Sequence, residues 1–116
     1  MKWLALTACG DAPLGHGALL RCPGSYPHEC VVDLLVYDPN DAGRGMGLMV
    51  DSGYKAGLAL VILPLESGAG RSIDPHWLRQ NWKSWVYPSS ALKDVWVCRD
   101  GRRTPRLPQK PPSVSR

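Results

Sequence analysis

Four cysteines, at positions 9, 22, 30 and 98, and three histidines are the most reactive side chains in this 116-residue chain. Cys22, His28 and Cys30 stand closest together, spaced Cys-x5-His-x-Cys. A zinc ion takes four nitrogen or sulfur ligands, usually from two close pairs. Here the fourth ligand would have to be Cys9 or Cys98, and no Cys-x2-Cys pair exists. No metal site is expected from that spacing. Nucleophilic catalysis needs a Cys or Ser beside a base that a third group orients. No flanking motif marks such a trio. Acid–base chemistry by paired carboxylates needs a cleft, and the acids here fall mainly in turn sequences. Gly43-Arg44-Gly45-Met46-Gly47 lacks the Lys-Ser/Thr and the following helix of a phosphate loop. It reads as a turn between strands. The chain is therefore not expected to be an enzyme, and no cofactor or catalytic residue is assigned.

Charge is unevenly spread. The chain carries a formal +4, but Arg102, Arg103, Arg106, Lys110 and Arg116 form a tail with no acid. The remaining 101 residues hold nine basic and ten acidic side chains. The basic pI thus describes the tail and not the folded surface. Within the body, Glu29, Asp33, Asp38, Asp41 and Asp51 face a single Arg44 over residues 29–51. Nothing marks the chain as secreted, so reduced thiols are the default. Leu6-Thr7-Ala8-Cys9 imitates a lipoprotein cleavage site, but only Trp3 to Ala8 precedes the cysteine as an apolar run. Lys2–Cys9 is read as a first strand instead.

The elements follow from pattern. Val31–Tyr37 is β-branched and aliphatic, and Asp38-Pro39-Asn40-Asp41 closes it. Shorter strands are expected at Ala18–Cys22, Met46–Asp51 and Asp94–Arg99. Gly57–Leu65 is a nearly continuous apolar run and reads as a central strand buried on both faces. The one helix is predicted over about 75–87. Asp74 suits its N-cap, Pro75 its first position, and Ile73 with Leu78 a hydrophobic staple. Trp77, Leu78, Asn81, Trp82 and Trp85 then share one side. Phenylalanine is absent, so five Trp and four Tyr carry the aromatic packing. The predicted fold is α+β and predominantly β: a small twisted antiparallel sheet of about five or six strands with one packed helix. Residues 1–101 form one domain. The Pro-rich basic segment 102–116 lacks the apolar surface to offset the entropy of ordering and is expected to be disordered.

Several pieces of the chain together resemble a known family. They are Gly53-Tyr54-Lys55-Ala56-Gly57, Leu63-Pro64-Leu65-Glu66-Ser67, Trp77-Leu78-x2-Asn81-Trp82-x2-Trp85-x-Tyr87-Pro88 and Val95-x-Val97. Gly17, Leu20, Arg21 and Pro23 match less specifically. In these the chain is similar to immunity protein family 45 of bacterial polymorphic toxin systems, over roughly residues 15–98. The resemblance implies a cytoplasmic antitoxin that binds and occludes a cognate secreted toxin. That toxin is a protein effector of, for example, a contact-dependent or type VI secretion system, and plausibly a nuclease. The matched positions are mostly apolar or aromatic, so they describe a scaffold and hand over no binding residues.

An inhibitor of a nuclease meets a basic cleft, so its own surface should be acidic. Asp38, Asp41 and Asp51 are the candidate partner-binding residues, with Tyr37 and Tyr54 as aromatic anchors. The alternative function is a small nucleic-acid-binding module using the basic tail. The tail lacks aromatics for base stacking, so nucleic acid is not the expected partner, and no membrane contact is expected.

Overall fold

The computed structural model describes residues 2–24, 30–52, 56–88 and 90–101. His28, Glu29, Tyr54 and the tail 102–116, all singled out above, lie outside them. In chain order the strands are β1 (Leu4–Ala5), β2 (Leu19–Pro23), β3 (Val31–Tyr37), β4 (Gly47–Val50) and β5 (Ala59–Ile62). The helix α1 (Pro75–Trp85) follows, then β6 (Trp96–Cys98). The six strands form one antiparallel sheet in the order β1-β6-β2-β3-β4-β5. This is the α+β, mostly β architecture that the sequence predicts. β2 to β5 are a meander of sequential antiparallel neighbours. The chain then crosses one face through α1 and returns as β6, between β1 and β2.

Register decides which side chains meet the helix. Val97 lies opposite both Leu4 and Leu20, Leu20 opposite Leu34, and Leu34 opposite Val50. Side chains alternate along each strand, so these residues share one face. Leu78 and Trp82 of α1 are buried in the same core, with Leu6, Leu14, Leu63 and Ile73. Trp77 packs half-buried at its edge, while Trp85 is 39% exposed. Among the described residues the Trp82 indole N–H meets no acceptor, so packing alone holds the ring. The helix starts as predicted: the Asp74 carboxylate accepts the His76 N–H at 3.0 Å, and Pro75 takes the first position. It stops at Trp85, because the residue before Pro88 is disfavoured in helical geometry and the chain unwinds there.

Two sequence expectations need correction. The run Gly57–Leu65 is not a central strand. Only Ala59–Ile62 pairs, and it forms the sheet edge, with a bulge opposite Leu48 and Met49. Apolarity misleads here because the run serves three places. Val61 packs on the core, Leu63 pairs with Met46 and is buried, and Leu58 and Leu65 are left exposed at 57% and 55%. The first strand is also shorter than Lys2–Cys9. After Ala5 the chain tightens into a 3-10 turn, Leu6–Ala8, that drops Leu6 into the core and bonds its N–H to the Val95 carbonyl at 2.9 Å.

The Gly-rich stretch before β4 has a packing cause. A Cβ at Gly45 would sit 2.6 Å from the Pro64 carbonyl oxygen, and one at Gly47 would sit 2.5 Å from the Tyr37 ring. Backbone and ring approach closer than any side chain allows.

Truncation of Trp82 to Ala should lower stability by about 3–5 kcal/mol, the range for deleting a buried aromatic ring. Chemical denaturation checks it, and a variant melting within a few degrees of the parent would refute this core. The four thiols are free, three buried and Cys30 exposed. Native thiol titration should therefore show one fast group, lost in Cys30→Ser, and reductant should leave the melting temperature unchanged.

Candidate functional site

The turn between β3 and β4 is built from its own acids. Asp38 accepts the Asn40 N–H at 2.7 Å, which holds Asn40 in the left-handed region at φ 59°. Asp41 accepts the Gly43 N–H at 2.8 Å. Such side-chain-to-backbone bonds are why Asp favours turns. A long-range tie then fixes the turn in space. Arg71, from the loop between β5 and α1, grips the Asp38 carboxylate with two nitrogens at 2.6 and 3.2 Å. The same guanidinium donates to the Arg44 and Gly45 carbonyls at 3.0 and 3.3 Å. This pair, with help from the Asn40 N–H, holds the Asp38 carboxyl below the usual carboxylate range.

The other flank of that loop is stitched to the segment after β1. Leu14 and Ile73 exchange both backbone bonds at 2.8 Å. Asp11, Glu66 and Asp74 thereby line one shallow depression of about 370 Å³. Asp38, Asp41 and Arg71 line its neighbour, of about 300 Å³. Arg79 reaches from α1 to Asp11 at 3.0 Å and to the Leu6 carbonyl at 2.9 Å. One end of the molecule thus carries a rim of five carboxylates around a single loop. Arg71 and Arg79 are spent on Asp38 and Asp11. Among the described residues Asp41, Glu66 and Asp74 join no salt bridge. Arg44 points its guanidinium away, to the Ile62 carbonyl on the β5 edge.

The structure places four of the five predicted residues, and in different surroundings. Asp38 and Asp41 share the rim. Tyr37 adjoins it, half-buried with its ring over Gly47. Asp51 does not belong: its N–H bonds the Asp33 carbonyl at the far end of β3. Five residue steps of extended chain separate Asp33 from Asp38, about 17 Å. Tyr54 lies outside the described residues. Asp11, Glu66 and Asp74 were missed as partners of the turn. In sequence Asp74 reads only as a helix cap and Glu66 only as part of the family motif, and nothing there links positions so far apart.

Cys22 and Cys30 line a third depression with Arg21, Asp94 and Trp96. Burial, aided by Asp33, pushes the Cys22 thiol up to about 12, so it carries no thiolate near neutral pH. Among the described residues no three His, Cys, Asp or Glu stand close enough to hold a metal ion. Nor is any described helix long and apolar enough to cross a membrane.

A family model described as Immunity protein 45 matches residues 6–97. No curated protein and no solved structure matches the chain.

The Asp38–Arg71 tie predicts a titration. A depressed folded pKa adds stability above the unfolded value of about 3.9 and loses it as pH falls through the folded midpoint. Carboxyl NMR should place the Asp38 midpoint below the ordinary value, and Arg71→Gln should move it upward. An unshifted midpoint in the parent would mean the pair does not persist in solution.

Proposed function

This chain belongs to the immunity protein 45 family, and on that premise we propose that it neutralises a cognate secreted nuclease toxin by docking it on the acidic rim. The family carries the antitoxin role. The observation that supports the rim is the convergence of Asp11, Asp38, Asp41, Glu66 and Asp74 around one loop. A nuclease cleft is lined with cations that meet phosphate, so a negative surface complements it and speeds encounter. Arg71 and Arg79 hold that surface rigid, so little ordering cost is left for binding. Asp41 and Glu66 are the exposed carboxylates tied to no arginine, and Tyr37, next to Asp38, is the aromatic anchor of this reading. Occlusion by a rigid, charged rim needs no catalytic group. On this reading the protein works in the bacterial cytoplasm of a polymorphic toxin system, guarding against an effector delivered by contact-dependent or type VI secretion.

The test uses the cognate toxin, sought first in the gene adjacent to this one. The double variant Asp41→Lys, Glu66→Lys should slow association at least tenfold and flatten its salt dependence. Its melting temperature should stay within a few degrees of the parent, since neither side chain is buried. Unchanged affinity and salt dependence would place the toxin elsewhere. Protection lost on deleting residues 102–116, with nucleic-acid binding lost in parallel, would favour the tail-borne reading instead.

A further inference from the structure

The described chain ends on the face of the sheet opposite α1. Leu19 and Cys98 are only 4% and 0% exposed, yet neither belongs to the core under the helix. They are cross-strand partners on β2 and β6, next to Leu20 and Val97, which do belong to it. Alternation therefore turns Leu19 and Cys98 to the other face. The chain's own return lies on them there. After β6 a turn bonds the Gly101 N–H to the Cys98 carbonyl at 3.3 Å. The Asp100 carboxylate accepts the Cys98 thiol at 3.4 Å. Gly101 packs so closely on Leu19 that a Cβ would sit 2.5 Å from its Cδ1. Residues 102–116 thus set out from this face.

The face has a place for them. Trp96 and Val31 point the same way and stay 45% and 49% exposed. With Arg21, Pro23 and Asp94 they line a depression of about 420 Å³. Leu35 lies opposite Leu19, and four steps of β3 cover the roughly 13 Å from Leu35 to Val31. Leu107, six steps past Gly101, has a reach of about 20 Å. It is the first large apolar residue of the segment, and Pro105 and Pro108 stand close to it. Their fixed φ reduces the entropy lost on ordering. Charge agrees. Arg102, Arg103 and Arg106 come with no acid, and Asp94 and Asp100 border the face. The face's own cation, Arg21, is already held by Asp33 at 2.7 and 3.0 Å.

We infer that residues 102–108 fold back over this face, with Leu107 in the depression against Trp96 and Val31 and the three arginines toward Asp94 and Asp100. The segment has too few apolar residues to order alone, but here the sheet supplies the other side of the contact. Tethering selects this occupant. A short linker presents its segment at an effective concentration of about a millimolar, far above that of a free partner in the micromolar range. The domain then extends past Gly101. This does not depend on the toxin reading, since it uses a different surface from the acidic rim.

Nuclear magnetic resonance of the full chain tests it. Backbone order parameters over residues 102–108 should approach the rigid value of about 0.85. The Leu107 methyls should show nuclear Overhauser effects to the Trp96 ring and the Val31 methyls. Leu107→Asp should drop those order parameters below about 0.6, the flexible range, with an unchanged circular-dichroism spectrum. Asp94→Lys should lower them too. A parent already below about 0.6 would overturn the inference without any variant. So would an ordered segment whose contacts run to Asp41 and Glu66, since the rim would then hold it. A flexible segment with self-association lost in Trp96→Lys would give the face to a second copy. A flexible segment with toxin affinity lost in Trp96→Lys would give it to the toxin. Both results stand against the fold-back.

Discussion

One short helix has to cover a six-stranded sheet. At 1.5 Å per residue the eleven residues of α1 span about 16 Å. Six strands at about 4.8 Å spacing span about 24 Å. The helix can shield the middle of one face and nothing of the other. The remaining core must come from loops folding inward, and this is what Leu6, Leu14, Leu63 and Ile73 do. Burial of Trp82 and Leu78 holds this arrangement together. It fixes the crossing direction of α1, which in turn returns β6 between β1 and β2.

The loops that complete the core also make the surface. Bringing Leu14 and Ile73 together as a bridge drags Asp11 and Asp74 to the same end as the β3–β4 turn. Two arginines make that end rigid. Arg71 ties the loop to the turn, and Arg79 ties the helix to the segment after β1. Exposed ion pairs contribute little to stability singly. Their value here is geometric: each also donates to backbone carbonyls that lie in loops. The charged rim is thus a product of the same packing solution as the core. The covered face forces loops to one end, and among the described residues Trp96 and Val31 of the opposite face stay exposed.

Much of the fold was legible from pattern. The β-branched run Val31–Tyr37, the Asp74-Pro75 start and the Trp77–Trp82 spacing are local signals, and each produced the element it announced. Gly57–Leu65 failed because hydrophobicity reports burial and not strand position. The same run can be a central strand, or an edge strand flanked by two residues that leave it. The candidate site was half legible. Asp38 and Asp41 are close in sequence and stay close in space. Asp51 is equally near in sequence, but a β-hairpin sends it to the opposite end. Glu66 and Asp74 join the rim only because a loop some thirty residues on folds back.

By itself the sequence determined what depends on neighbours: caps, turns, alternation, the aromatic stripe of the helix and the motif pattern of an immunity family. Those features are set by backbone geometry and by side chains a few residues apart, so a linear reading contains them. Only the tertiary structure decided what depends on pairing. Strand order made β5 an edge and β6 an insertion. Register sorted Leu34 into the core and Leu35 onto the opposite face. The Arg71–Asp38 and Leu14–Ile73 contacts gathered scattered carboxylates into one surface. Contacts of that kind arise from chain closure over long separations. Their identity is chosen by how the whole core packs and by no signal near the residues that make them.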